Sequence, residues 1–334
     1  MPVETVSMKL KATRMKPGSM ALCVKGKTIG IKHQKQEVVM KRSVSLLLCF
    51  FAFIAFTACA SEHAYWREAV KMREGVKIRE LSLKEPRLMK AWVARIDLKT
   101  PGIGFVTTER AREWGRPMPD YTNSVMLIRA KREKTVDFMK RKRAEGRNVE
   151  IAINTAPWLP WCSPWTHKWG DPKRWVVSDG VEVCAGKAPG QGALFVVYKD
   201  GRAEITSHVA PEVRRDVSHV HPGFAIIATN GVSVTSRNQK GLHPRTALGI
   251  SGDGRYLYLL VVDGRQPGYS LGASIKDLCD ILVAAGASDI VNMDGGGSTS
   301  LVVFDAKTKK PRMLNRHRHN VMRDVAINLG ITFD

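Results

Sequence analysis

The stretch Asp289-Ile290-Val291-Asn292-Met293-Asp294-Gly295-Gly296-Gly297-Ser298-Thr299-Ser300-Leu301-Val302-Val303-Phe304 decides how this chain is read. Two short apolar runs, Asp289–Met293 and Ser298–Phe304, have strand length and β-branched content, and three consecutive glycines divide them. Consecutive glycines cost backbone entropy, so they need a reason. One is a backbone that approaches a ligand, with N–H groups gathered as an anion nest. The other is a plain tight turn. A P-loop is excluded, because no Gly-Lys-Ser/Thr follows and the next element reads as a strand. Asp294, at the exit of the first strand, is placed to act as an acid, a base or a hydroxyl acceptor.

Upstream, Ser274 caps a helix with Asp277 three residues on, and Gly286 stops it. Its apolar positions Ile275, Leu278, Cys279, Leu282 and Val283 keep the helical period. Tyr256–Val262 and Phe224–Ala228 read as strands, and Gly192–Ile205 as a hairpin turned at Lys199-Asp200-Gly201. Further back lie strand patterns at Val76–Leu81, Ala91–Leu98, Val125–Ile128 and Val149–Asn154. A basic helix is expected over Lys131–Glu145, with a solvated face. Residues 61–75 read as a polar, short helical or flexible lead. No repeat or linker divides 76–334. The expectation is one α+β or mixed α/β domain, with a mixed β-sheet and flanking helices.

The chain has 334 residues and 44% hydrophobic content, which excludes a disordered or collagen-like polymer. Its 53 Lys and Arg against 31 Asp and Glu give +22, which raises the question of nucleic acid. Part of that charge sits before a secretory pattern. Lys41-Arg42 precedes the uncharged run Val44–Phe56, and small residues Thr57-Ala58-Cys59-Ala60 follow. Residues 40–60 therefore read as a signal, cleaved after Ala60 or leaving a lipidated Cys59 that attaches the protein to a membrane. Residues 1–39 have no hydrophobic period and hold eight basic residues; they read as a mis-called extension before a true start at Met40. Without residues 1–59 the charge falls to +14. The expected location is the periplasm, the medium or the outer surface of a bacterium. Cys162 and Cys184 bracket a Trp/Pro-rich loop and could pair in an oxidising compartment. Cys279 reads as a buried helix residue.

Other strand ends carry charge. His243-Pro244-Arg245-Thr246 precedes one strand, Asp263-Gly264-Arg265 ends the next, and Arg323 precedes Val325–Asn328. Each taken singly suits a surface ion pair; together they suggest strands converging on an acidic ligand, with the arginines as clamps. Five of the eight tryptophans fall at 158, 161, 165, 169 and 175, where four prolines forbid one continuous helix. Trp158 and Trp161 could stack on sugar rings or form an aromatic mini-core; both readings stand. His219-x-His221 and His317-x-His319 leave a metal ion open, although no third ligand completes a set. No cofactor is expected.

The order of these motifs resembles the phosphodiester glycosidase family. It runs Asn154, His-Pro-Arg-Thr at 243–246, Asp-Gly-Arg at 263–265, Gly268 to Ser274, the helix, Asp-Gly-Gly-Gly-Ser-Thr at 294–299 and the closing segment from Arg323. The resemblance covers about residues 75–334 and implies cleavage of a sugar from a phosphodiester by an exported protein. The family often has Asn-Gly-x-Phe where this chain has Asn154-Thr155-Ala156-Pro157-Trp158, a departure that bears on which sugar is taken.

On this reading Asp294, Asp263 and Arg245 are catalytic candidates. Asn154, Thr246, Arg265, Gly295, Gly296, Gly297, Ser298, Thr299, Arg323, Trp158 and Trp161 are expected to bind substrate. Asn154 and Thr246 would orient it, while Arg245, Arg265 and the N–H groups of 295–298 would hold its phosphate. The expected partner is a sugar phosphodiester, or an anionic glycan if the site binds without cleaving. Nucleic acid is not expected, since no helix-turn-helix, zinc finger or RNP signature is present.

Overall fold

The continuous apolar runs arise because both main sheets are buried on both faces. In the strand Tyr256–Val262, Leu257, Leu259 and Val261 enter one core, while Tyr258, Leu260 and Val262 enter another. Alternate side chains leave opposite faces of a strand, so two buried faces require apolar residues at every position. The computed structural model describes residues 23–24, 27–28, 62, 64–119, 126–160, 168–234 and 241–334. Apart from the paired dipeptides Cys23–Val24 and Lys27–Thr28, the expected extension and signal, with Cys59, lie outside them. Among the described residues no helix is long and apolar enough to cross a membrane.

An eight-stranded sheet has the order Val232–Ser233, Ala225–Thr229, Asp289–Asn292, Arg245–Ile250, Tyr256–Val262, Met89–Asp97, Val76–Leu83, Val70–Arg73. A five-stranded sheet runs Lys310–Met313, Leu301–Asp305, Val149–Asn154, Asn328–Phe333, Ile103–Thr107. Ile96, Leu248, Leu259, Ile151, Ile153 and Ile331 fill the space between them. Helix Ile275–Ala284 covers the outer face of the first sheet through Leu278 and Leu282. Helix Thr135–Ala144 covers the outer face of the second through Phe138 and Met139. A third sheet, with strands Val181–Cys184, Val176–Ser178, Val217–Pro222, Gln191–Tyr198 and Ala203–His208, adds Phe195, Val197 and Ala203 to the central core.

The expected mixed sheet is corrected: the pairings in all three of these sheets are antiparallel. The helix 275–284 does connect two parallel strands, but its crossover steps over Arg245–Ile250. That strand is antiparallel to both neighbours, so the parallel pair is separated by one strand. Ser274 and Asp277 form the expected reciprocal capping box.

Other boundaries shift. The basic helix begins at Thr135, because Lys131 belongs to the short strand Ala130–Lys131. Arg141 pairs with Glu109, Glu133 and Glu145, which neutralises much of its face. Val125 lies outside the described residues, and Met126–Ile128 holds one isolated bridge rather than a strand. The lead is part of the fold. Trp66 is buried and its Nε1 donates to Ala285 O at 2.8 Å, and Val70–Arg73 forms the sheet edge. Ser61–Asp334 forms one compact unit.

Candidate active site

Each glycine of the turn at 295–297 makes room for a different neighbour. A Cβ on Gly295 would lie 2.8 Å from Pro244 O, the carbonyl that accepts the Gly296 N–H. Gly296 has a left-handed φ of +64°, with Arg265 Nη1 3.5 Å from where its Cβ would be. A Cβ on Gly297 would meet Arg323 Nη2 at 2.9 Å and Cζ at 3.0 Å. Two guanidiniums thus flank one turn of bare backbone. The strand expected from Ser298 begins instead at Leu301, because residues 296–298 form a single 3₁₀ turn.

Asn154 ties this turn to the strands around it. It is fully buried; its Nδ2 donates to Asp294 O at 2.7 Å. Its Oδ1 accepts from Thr246 Oγ1 at 3.0 Å and from Ser300 N at 2.9 Å. Asp294 N in turn donates to Thr155 O, and Met293 N to Thr246 O. Direct substrate contact by Asn154 and Thr246 is therefore corrected. Both face inward and bond to each other, so they position the Asp294 loop.

Behind that loop, Thr155 Oγ1 lies 2.8 Å from His221 Nδ1. Thr107 Oγ1 lies 3.0 Å from His221 Nε2 and 3.0 Å from His219 Nδ1. Burial pushes His219 down to about 4 and His221 well below the usual imidazole range. Three of the four ring nitrogens of this pair are thus engaged by threonine hydroxyls. His317 faces Ser300 Oγ and Val321 O in the same way. Among the described residues, no group of three His, Cys, Asp or Glu could hold a metal ion.

The two candidate carboxylates differ sharply. Asp263 accepts from Asn315 Nδ2 at 3.1 Å, Arg316 N at 2.8 Å and Tyr269 OH at 3.1 Å. Both of its oxygens are engaged, so Asp263 anchors the 315–316 loop while it lines the cavity described below, and burial raises its carboxyl. Asp294 is also buried, and its carboxyl is approached by Ser298, Trp158 and the Gly295 N–H rather than held by a loop as Asp263 is. Burial pushes its carboxyl up to about 6, opposed by Ser298, Arg323, the Gly295 N–H and Trp158. A carboxyl poised there can change protonation near neutral pH.

A cavity of about 390 Å³ opens beside the turn. Lys134, Arg265, Arg316, Arg318, Arg323 and His319 line it, against Asp263 and Asp324. Arg323 feels Asp294 as an attractive charge and Arg265 as a repulsive one. Crowded guanidiniums of this kind carry the charge and the donor geometry that suit an anion. Arg245 does not line this cavity. Its Nε donates to Ala273 O and its Nη2 to Gly241 O, so it braces the loops beside Pro244. Ser298 is buried beside Asp294, and Thr299 lines the cavity.

Trp158 belongs to a small buried cluster with Val176, Val183 and Ala326, and Arg132 stacks on it at 4.1 Å, which is the mini-core reading. Trp161 and Cys162 lie outside the described residues. Cys184 is buried with its Sγ 3.8 Å from Asp171 Oδ1, and the expected bridge to Cys162 falls outside the described residues. The loop bearing Asn315, Arg316 and Arg318 was missed. Its signal was the basic run Arg316-His317-Arg318-His319, read above only for its histidines.

Residues 146–332 match the family model described as phosphodiester glycosidase. The chain belongs to the phosphodiester glycosidase family. No curated protein matches its sequence. Among solved structures it is similar to a hypothetical protein from Synechocystis, with 13% identity, a TM-score of 0.53 and coverage of 80% of this chain. It spans 63% of that protein's length. It is also similar to the zebrafish N-acetylglucosamine-1-phosphodiester alpha-N-acetylglucosaminidase catalytic domain, auto-inhibited by its pro-peptide. That match has 16% identity, a TM-score of 0.53 and coverage of 79% of this chain and 86% of that one. At these identities the likeness is one of fold.

Proposed function

We propose that this member of the family hydrolyses the bond between a sugar's anomeric carbon and the phosphate of a sugar-1-phosphodiester. The observation that carries the reading is the setting of Asp294: a buried carboxyl pushed up to about 6, one glycine turn from a cavity lined by arginines. Arg265 and Arg323 hold the phosphate, with Arg316 and Arg318 at the cavity wall. Their charge also stabilises the leaving phosphomonoester, which limits the need for a strong general acid. Asp294, ionised above about pH 6, faces the positive charge that develops at the anomeric carbon. The C–O bond breaks toward the phosphate, and water supplies the oxygen of the released sugar.

The signal-like segment 40–60 supports an exported enzyme, with attachment through Cys59 if that residue is lipidated. The test is a panel of α-linked sugar-1-phosphodiesters and nucleotide sugars offered to the purified chain, reading free reducing sugar. Release that disappears in Asp294→Asn, with an unchanged melting curve, is the expected result. Binding without release across the panel would instead assign the pocket to a non-catalytic binder of anionic glycans.

A further inference from the structure

Asp294 stands at the wall of a second, smaller pocket, and this one has a different chemistry. Its volume is about 250 Å³, and Pro157, Trp158, Leu159 and Phe224 line it with Pro172, Lys173 and Arg174. The 390 Å³ cavity, lined by Gly296 and Gly297 of the turn that follows Asp294, is cationic. Asp294 lines the apolar, aromatic pocket, and Gly296 and Gly297, two and three residues on, line the cationic one. We propose that the smaller pocket receives the sugar ring, with Phe224 and Leu159 as its stacking wall and Arg174 as the specificity-determining donor to a ring substituent. This rests on the hydrolase reading above for the placement of phosphate in the cationic cavity.

Three observations favour a ligand over incidental surface. First, Phe224 is 50% exposed and Leu159 39% exposed, two large apolar side chains left beside a buried acid. An apolar face with a few polar groups suits the C–H face and hydroxyl rim of a pyranose. Second, the pocket is pre-formed, because its walls are tied in pairs. Leu159 and Asp171 exchange both backbone hydrogen bonds, at 2.9 and 2.8 Å. Arg174 Nη1 donates to Gly223 O at 2.7 Å. Phe224 N donates to Asn292 O at 2.8 Å, two residues before Asp294. The stacking wall is therefore fixed relative to the carboxyl.

Third, one wall of the pocket is the segment in which this chain departs from Asn-Gly-x-Phe. Pro157 and Trp158 stand in the departing stretch, and Trp158 forms the floor from within its own buried cluster. Lys173 is paired with Asp171 at 2.8 Å. Arg174 makes no ion pair among the described residues, which makes its guanidinium the better recognition group.

The test is equilibrium titration of the full chain with two probes, inorganic phosphate and the methyl phosphodiester of an α-hexose-1-phosphate. Variants are Phe224→Ala, Phe224→Trp, Arg174→Gln and Arg323→Met. Phe224→Ala is expected to weaken the sugar phosphodiester about five- to tenfold, the scale of one lost aromatic contact. Arg174→Gln should weaken it comparably, and neither should alter phosphate binding. Phe224→Trp should restore affinity, and Arg323→Met should weaken both probes. Wild-type affinity for the sugar phosphodiester in Phe224→Ala and Arg174→Gln overturns the subsite, and sugar release by the wild type would leave the hydrolase reading standing. Phe224-dependent binding without release from any phosphodiester would do the reverse. No binding of the sugar phosphodiester by the wild type overturns both.

Discussion

Gly297→Ala separates the role of the glycine turn in holding Arg323 from its role as a turn. Gly297 has no left-handed φ, so the backbone accepts alanine without strain. The added methyl would lie 2.9 Å from Arg323 Nη2 and 3.0 Å from Cζ, so the guanidinium must retreat by about half an ångström to reach normal contact. A misplacement of 1 Å in a positioned catalytic group costs on the order of 100-fold, so half that shift corresponds to about tenfold. Complete loss of one charge-assisted hydrogen bond, about 1.5–3 kcal/mol, sets the upper limit near 100-fold. The expected loss in kcat/KM for sugar release is therefore about 10- to 100-fold. Stability should be unchanged or slightly raised, because alanine reduces the freedom of the unfolded chain.

The two neighbouring glycines supply the contrast. Gly296→Ala places alanine at φ +64°, a cost of roughly 1–2 kcal/mol in stability, but Arg265 at 3.5 Å is in ordinary contact and need not move. Its kcat/KM per folded molecule should stay close to wild type. Gly295→Ala sets a methyl against Pro244 O, a backbone oxygen already bonded to Gly296 N, and should unfold the turn. The assay pairs initial rates on one sugar-1-phosphodiester with urea midpoints. Equal kcat/KM in Gly297→Ala and wild type, or a larger kinetic loss in Gly296→Ala, would refute the placement of Arg323 at the phosphate.

Because Asp294 titrates at about 6 and Arg323 favours its ionised form, kcat/KM should rise through that pH and the limb should move upward in Arg323→Met; a limb that stays in place refutes the assignment. Asn154→Ala leaves the buried Thr246 hydroxyl, the Ser300 N–H and the Asp294 carbonyl without partners, and should cost about 3 kcal/mol or more in urea unfolding. The buried His219 and His221 stay neutral in the fold, whereas the unfolded chain protonates near pH 6.5. Stability should therefore fall as pH drops from about 6.5 toward 4, although Asp294, whose carboxyl is raised, contributes the opposite slope between about 3.8 and 6. Urea midpoints that do not fall between pH 7 and pH 5 would contradict the buried, neutral pair.

The strands were legible because two buried faces leave almost no polar interruption. Tyr256–Val262 is the clearest case, and its limits match the structure. The capping box at Ser274 was legible because both of its partners lie within four residues. What the local pattern did not carry was pairing. A helix between two strands implies a parallel neighbour. Only the position of Arg245–Ile250 between those strands reveals an antiparallel sheet, and that is a long-range fact.

The site divides along the same line. Asp263-Gly264 and Asp294-Gly295 look alike in the sequence, each a carboxylate leaving an apolar strand just before glycine. Their chemistry is set by residues far away along the chain. Asn315 and Arg316 fill the oxygens of Asp263 from more than 50 positions downstream and turn it into a bracket. Asn154, 140 positions upstream of Asp294, binds that residue's main-chain carbonyl rather than its carboxyl. The same asymmetry separates the arginines. Arg245 is tied to the carbonyls of Ala273 and Gly241, whereas Arg265 and Arg323 stand where Gly296 and Gly297 carry no side chain. The glycines of the motif therefore act by what they omit: two missing Cβ atoms let two guanidiniums approach one turn, and Asp294 gains a charge environment that no carboxylate beside an ordinary turn would have.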